Sequence, residues 1–351
     1  MQKNSRIAGL DLVRCVALIM VFTLHAFAWL GYYNAPVSHF VGYASMGLRN
    51  LCMSAVPLFL LLSGFLKKRK KANLAHYRTI IPILISMVMA TGVLCAYVSV
   101  RDHVIPSVTA WAAALLNYSE GYNWYIEMYV GLFLLMPLLN ACWNADQSEK
   151  WHQTILATCI VLTVLPTLLN GYNIRGVSFD FVPDWWTGHY PVVYYFIGAY
   201  IGEHTLKISK KMLLAFLTME IVITMLRPSF YSEEHRPGQW EDYADWSFVL
   251  ISTTVFLILY DIKIANGTMN KAVRTIADRS LDMYLISVVF DNLIYRAIQP
   301  ELKEFPAALL LLPFTVLAVF GCSFLYAWLK KQVEQWTSRL FPVIGDVISR
   351  A

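Results

Sequence analysis

The sequence predicts an all-α membrane protein, a polytopic bundle of about ten transmembrane helices with both termini cytoplasmic. Three observations carry that expectation. The 351-residue chain is 58% hydrophobic and only 15% charged, whereas soluble domains carry about 25% charged residues. Its mean hydropathy is +0.51, and apolar stretches of bilayer-crossing length recur from end to end. Of the 28 Lys and Arg residues, 20 fall in segments that a ten-span count places inside, 6 in segments it places outside, and Arg14 and Arg49 fall within spans. A shift of one span would scramble this positive-inside bias.

A window of about 19 residues marks spans at 12–33, 43–66, 79–100, 124–143, 154–170, 189–206, 210–228, 244–262, 282–299 and 306–329. The first belongs to the apolar stretch Leu10–Leu30. That stretch is too long for a signal-peptide core and is followed by no small-residue cleavage site, so it reads as an uncleaved span. In the second, Pro57 frees a backbone carbonyl and kinks the helix, and Ser63-Gly64 admits a close neighbour. The basic run Lys67–Lys71 follows, either as a topology determinant touching anionic lipid or as a cationic rim that attracts a polyanionic ligand. The third span has no landmark of its own. The fourth opens on Asn123-Trp124-Tyr125, holds Glu127 and runs through Gly131 to Pro137.

Between the fifth and sixth spans lies an outer loop from Tyr172 to Tyr190, with Arg175, Asp180, Asp184, Trp185 and Trp186. A second such loop joins the seventh and eighth, with Tyr231, Glu233, Glu234, Trp240, Glu241, Asp242, Tyr243, Asp245 and Trp246. Both read either as an interfacial aromatic belt with solubilising acids or as a surface that grips sugar faces and hydroxyls. Asp282 and Asp291 interrupt the ninth span, and the tenth completes the bundle. The six cysteines include no CxxC pair and read as small apolar packing residues. No Gly-rich phosphate loop and no His/Cys cluster at ligand spacing is present, so no metal and no nucleic-acid partner are expected.

The chemistry is expected on the first helix. Arg14 and His25 are eleven positions apart, and on a helix eleven steps return to within about 20° of the starting direction while advancing about 16 Å. The two therefore share a stripe, with Asp11 close to it. Ionisable groups inside a membrane helix are costly and mark a pathway or site. His25 is a candidate general base or a simple interhelical hydrogen-bonder. Asp11 and Arg14, at i and i+3, form a structural ion pair or a phosphate-binding arginine with its positioning carboxylate. Glu127 is a candidate to orient His25 or to make a purely structural hydrogen bond. Arg49 is a candidate to stabilise developing negative charge or to pair with a buried acid.

At these landmarks the chain resembles the membrane acyltransferases called acyltransferase family 3, over essentially its whole length. The family's first-helix pattern, an arginine, ten residues and a histidine, is matched by Arg14 and His25. Its second-helix pattern is matched from Val56-Pro57-Leu58-Phe59 to Ser63-Gly64-Phe65, and its Trp-Tyr helix opening by Trp124-Tyr125 with Pro137. The chain departs from the family where many members place an arginine before the second-helix proline, here Met53, with Arg49 one turn earlier. It departs again where Ser280-Leu281-Asp282-Met283-Tyr284-Leu285-Ile286 continues with Ser287 instead of histidine.

The resemblance implies a membrane O-acyltransferase that moves an acyl group, often acetyl, from acetyl-CoA or another acyl-CoA to a hydroxyl of a cell-envelope polysaccharide or lipid-linked glycan precursor. It implies catalytic roles for His25, Arg14 and Asp11. The coenzyme phosphates would fall to Arg14, Lys67, Lys68 and Arg69, and the acceptor to Arg49, Trp124, Tyr125 and Glu127. The expected setting is a bacterial plasma membrane. Membrane lipid is an expected partner, with either direct transfer or hand-off to a separate extracytoplasmic transferase, and a homo-oligomer stays open. A polysaccharide exporter or flippase also predicts buried charges along a pathway. The membrane half of a serine racemase is a third reading, which expects a long soluble domain after the last span.

Overall fold

The computed structural model describes residues 6–34, 39–116, 123–170, 172–174, 177–226, 242–298 and 305–340. In chain order the helices are α1 (Ala8–Trp29), α2 (His39–Cys52), α3 (Ala55–Lys67), α4 (Leu74–Arg78), α5 (Ile81–Asp102), α6 (Val108–Leu116), α7 (Trp124–Trp143), α8 (Glu149–Cys159), α9 (Leu165–Leu169), α10 (Tyr190–Glu203), α11 (Lys210–Leu226), α12 (Trp246–Leu259), α13 (Gly267–Ala277), α14 (Ser280–Ile298), α15 (Phe305–Ala308) and α16 (Leu312–Leu340). The described residues are nearly all helical. The exception is a two-stranded antiparallel hairpin, β1 (Tyr172–Ile174) and β2 (Val177–Phe179), in the first of the two outer loops expected from the sequence.

Local chemistry sets the helix ends. Asn73, Ser148, Asp245 and Asn266 cap α4, α8, α12 and α13, each side chain accepting from a backbone N–H of the first turn. Proline stands in the first turn of α5 and of α10, where its missing N–H has no helical partner to lose. Farther along a helix, proline changes the backbone. Pro57 cannot donate to the carbonyl of Met53, and the second predicted span breaks at Met53-Ser54 into α2 and α3. Before Pro166, a π-helical turn (Ile160–Val164) joins α8 to α9.

Six helical stretches are long and apolar enough to cross a membrane: Ala8–Trp29, Phe40–Lys67, Leu74–Asp102, Trp124–Trp143, Glu149–Leu169 and Leu309–Trp336. The sequence leads one to expect four further spans, and helices stand there too, as α10, α11, α12 and α14. Three of these are short, with 14, 17 and 14 residues. The fourth, α14, is 19 residues long but carries Asp282, Asp291 and Arg296.

Lipid is as apolar as leucine, so close packing and buried hydrogen bonds must hold such helices together. The tightest seam joins α3 to α10. A Cβ on Gly64 would lie 1.8 Å from the Tyr195 carbonyl oxygen, and one on Gly198 would lie 2.0 Å from that of Leu61. Neither position has room for any side chain. The same seam is pinned at one end by Asn140 of α7. Its amide donates to the carbonyls of Lys67 and Lys70 at 2.8 and 2.7 Å, and its oxygen accepts from the Tyr195 hydroxyl at 2.7 Å. The basic run 67–71 is thereby held against the bundle. Helix α1 lies at the centre, packed on α3, α13, α14 and α16.

Candidate active site

Two helices build the site side by side. Arg14 of α1 and Ser280 of α14 line one cavity, and eleven residues farther along each helix His25 meets Asp291. Equal steps on both helices mean that they run in the same sense, and the two levels are about 16 Å apart.

The cavity, of about 250 Å³, lies between α1, α3, α5, α7 and α14. Its walls are mostly aliphatic and aromatic: Val21, Val56, Phe59, Leu62, Ile83, Tyr125, Ile126, Leu281 and Tyr284. Its charged lining is two cations, Arg14 and Lys67. Lys67 donates to the Tyr129 hydroxyl at 2.6 Å and lies over the Tyr129 and Phe133 rings, at 5.3 and 5.5 Å from their centroids. Beside it a second space of about 470 Å³ is lined by Arg6, Asp11, Arg14, Leu66 and Asp278. Arg14 and Leu66 line both spaces and form the throat between them.

At the throat Asp11 is saturated. Arg6 gives it two hydrogen bonds, of 2.6 and 2.8 Å, and Arg14 gives a third of 2.7 Å. Arg6 also reaches Asp278 at 2.6 Å, tying the segment before α1 to the α13–α14 turn. These two carboxylates hold the Arg6 guanidinium pKa above its ordinary value, the hydrogen bond it donates to Asp11 being the larger cause. Asp11 itself is 2% exposed. Its bonds to two arginines compensate the cost of burying it and orient Arg14, which keeps N–H groups beyond the one it gives to Asp11.

At the other level, His25 Nδ1 lies 2.7 Å from Asp291 Oδ2. An ionised carboxylate can only accept, so opposite an ionised Asp291 the proton belongs on Nδ1 and Nε2 is left bare. The His25 side chain keeps 31% of its surface. It stands one turn beyond Val21, the last α1 residue of the cavity wall. The partner is Asp291 and not Glu127, which the sequence offers for that role. Glu127 lies outside both linings, and its Oε1 is buried with no hydrogen bond from the described residues.

The other expected site residues divide. Tyr125 lines the cavity, with ring centroids of Tyr284, Phe59 and Tyr129 at 5.7, 6.0 and 6.2 Å. Trp124 points away and stacks on Tyr243 at 5.8 Å, next to Tyr190. Lys68 and Arg69 do not line either space. Lys68 turns to the Phe65 carbonyl at 2.7 Å, and burial pushes its pKa down. Arg69 pairs with Glu203 at the end of α10. The cause is geometric: α3 ends at Lys67, and the chain beyond it lies along α7, whose Asn144 and Asn140 donate to the carbonyls of Lys68 and Lys70. Arg49 is buried on α2, outside the cavity lining, with its Nη1 3.4 Å from Asn50 Oδ1 and its guanidinium over the Tyr33 ring.

Of the outer loops, Trp185 is 76% exposed and Asp184 accepts from the Asn170 amide at 2.6 Å. Arg175, Tyr231, Glu233, Glu234, Trp240 and Glu241 lie outside the described residues. Among the described residues no group of three or more His, Cys, Asp or Glu is placed to hold a metal ion. Sequence reasoning does not single out Arg6, Tyr129 or Tyr284 for the site. Tyr284 has a signal, since it precedes Asp291 by seven residues and so shares its face of α14.

An apolar cavity with two cations at one end, opening on a charged space, suits an anion with an apolar arm. A histidine held by a carboxylate, one turn beyond its wall, suits proton transfer. No curated protein and no solved structure matches the chain. The model of the acyltransferase domain matches residues 7–328, nearly the whole chain, and by that match the protein belongs to this family of membrane acyltransferases.

Proposed function

We propose that the protein is a membrane O-acyltransferase that moves an acyl group, in the first instance acetyl, from coenzyme A to a hydroxyl of a cell-envelope polysaccharide or lipid-linked glycan precursor. The observation that carries this reading is one face of α1 that runs from a cationic throat, along an apolar cavity, to a histidine held by a carboxylate. Arg14 stands at the throat between a charged space and an apolar cavity, and the base His25 stands one turn beyond that cavity on the same helix.

In this reading the coenzyme enters from the cytoplasm. Its phosphates meet Arg14 and Lys67, and its pantetheine arm lies in the apolar cavity. The acceptor hydroxyl loses its proton to His25 Nε2 as its oxygen attacks the thioester carbonyl, and the coenzyme thiolate leaves. The chain crosses a bacterial plasma membrane about ten times, with α10, α11, α12 and α14 as the added crossings and both termini inside. The exposed Trp185 and its acidic neighbours face the glycan.

The test is turnover by the purified protein in lipid nanodiscs. Acetyl-CoA with an oligosaccharide acceptor should release free thiol and an acetylated sugar. A protein that binds or moves glycan but never consumes the thioester is an exporter, and this reading then fails. Reporter fusions to each loop test the ten crossings independently.

A further inference from the structure

Asp291 is 2% exposed on α14, among the packed helices of a membrane acyltransferase, and packing alone is a poor reason for a carboxylate there. Its Oδ2 lies against His25, while Oδ1 is buried with no hydrogen bond from any described residue. The cation nearest in sequence, Arg296, is committed elsewhere: its Nε donates to Asn292 Oδ1 at 3.0 Å and its guanidinium lies over the Trp29 ring. Asp291 thus differs from Asp11, whose charge is matched by two arginines. Where Asp11 holds guanidinium groups, Asp291 holds an imidazole.

We propose that Asp291 is the positioning residue of His25. It accepts the Nδ1–H, fixes which ring nitrogen is bare, and aims Nε2 along the stripe toward the cavity. When Nε2 takes a proton, the ring becomes an imidazolium beside the buried carboxylate of Asp291, whose burial strengthens that attraction. No bond to Asp291 forms or breaks, and its proton count is unchanged throughout. The inference rests on the reading of His25 as the base, and it adds the residue that makes His25 competent.

The experiment uses the full chain in nanodiscs, with Asp291→Asn, Asp291→Glu, His25→Ala and the double variant Asp291→Asn/His25→Ala. Asp291→Asn lowers kcat by about 10²- to 10⁴-fold, the range of general-base and triad-carboxylate losses, with KM for the donor unchanged. Asp291→Glu restores part of the rate. In the His25→Ala background, Asp291→Asn costs nothing further, because the residue acts through the ring. An unchanged kcat in Asp291→Asn, or an equal additional loss in the His25→Ala background, overturns the proposal.

A second readout does not need turnover. With ¹⁵N-labelled histidine, neutral His25 carries its proton on Nδ1 in the wild type and populates both tautomers in Asp291→Leu. A ring protonated on Nε2 in the wild type refutes the assignment. If the wild type consumes no thioester, the functional reading fails first, and the tautomer measurement still decides the pairing.

Discussion

The two carboxylates of the α1–α14 stripe face opposite demands. Asp11 is buried at the throat and takes three hydrogen bonds from two arginines. Asp291 is buried at the His25 level, about 16 Å beyond that of Arg14, with one oxygen against a histidine and the other without a donor among the described residues. A carboxylate satisfied on both oxygens is an anchor, because removing it leaves Arg14 without that partner and Arg6 with Asp278 alone. A carboxylate with one neutral partner leaves that partner able to change charge. Under the proposed function, the difference separates a place that holds an anion's countercharge from a place that moves a proton.

Substitutions can break that contrast, and the largest effect should come at the proton-moving end. His25→Ala should lower kcat for acyl transfer by about 10²- to 10⁴-fold while the protein still folds, measured by thiol release and by a melt of the same sample. A variant that acetylates acceptor normally would remove His25 from the chemistry.

At the anchor end the order reverses. Asp11→Ala should cost about 2 kcal/mol of stability, the scale of a lost charge-assisted hydrogen bond discounted for the partial exposure of Arg6 and Arg14. The melting midpoint reports it, and an unshifted midpoint would show that the arginines need no partner. Arg14→Ala should raise the donor KM by about 10-fold, the scale of one charge-assisted contact of about 1.4 kcal/mol, while kcat stays within about twofold of wild type. A kcat loss without a KM change would move Arg14 from donor binding to the reaction itself.

The smallest effect sharpens the contrast by its absence. Lys68→Ala and Arg69→Ala should leave donor KM within about twofold of wild type, since surface charges outside a site act weakly. A tenfold rise for either would mean that the phosphates lie along the basic run and not at the throat.

Much of the arrangement is legible in the order of the amino acids. Helical periodicity alone puts Arg14 and His25 on one face, and both stand at the level that spacing demands. Pro57 announces a kink, which in the fold is a complete break at Met53-Ser54. The destinations of three successive residues are not legible. Lys67 enters the cavity, while Lys68 and Arg69 turn to Phe65 and Glu203. Adjacent helical residues diverge by about 100°, so a basic run cannot say which member faces inward until the helix end and its neighbours are placed.

The chain by itself determined what acts locally: greasy runs long enough for a bilayer, caps and prolines that end helices, and the spacing that lines up Arg14 with His25. Only the tertiary structure decided the partnerships. His25 meets Asp291 across 266 residues of sequence, and it makes no hydrogen bond to Glu127 among the described residues. Periodicity orders residues around one helix axis. Which helices lie side by side depends on close approaches such as Gly64 against Tyr195 and on hydrogen bonds such as those of Asn140, and those exist only once the bundle has packed.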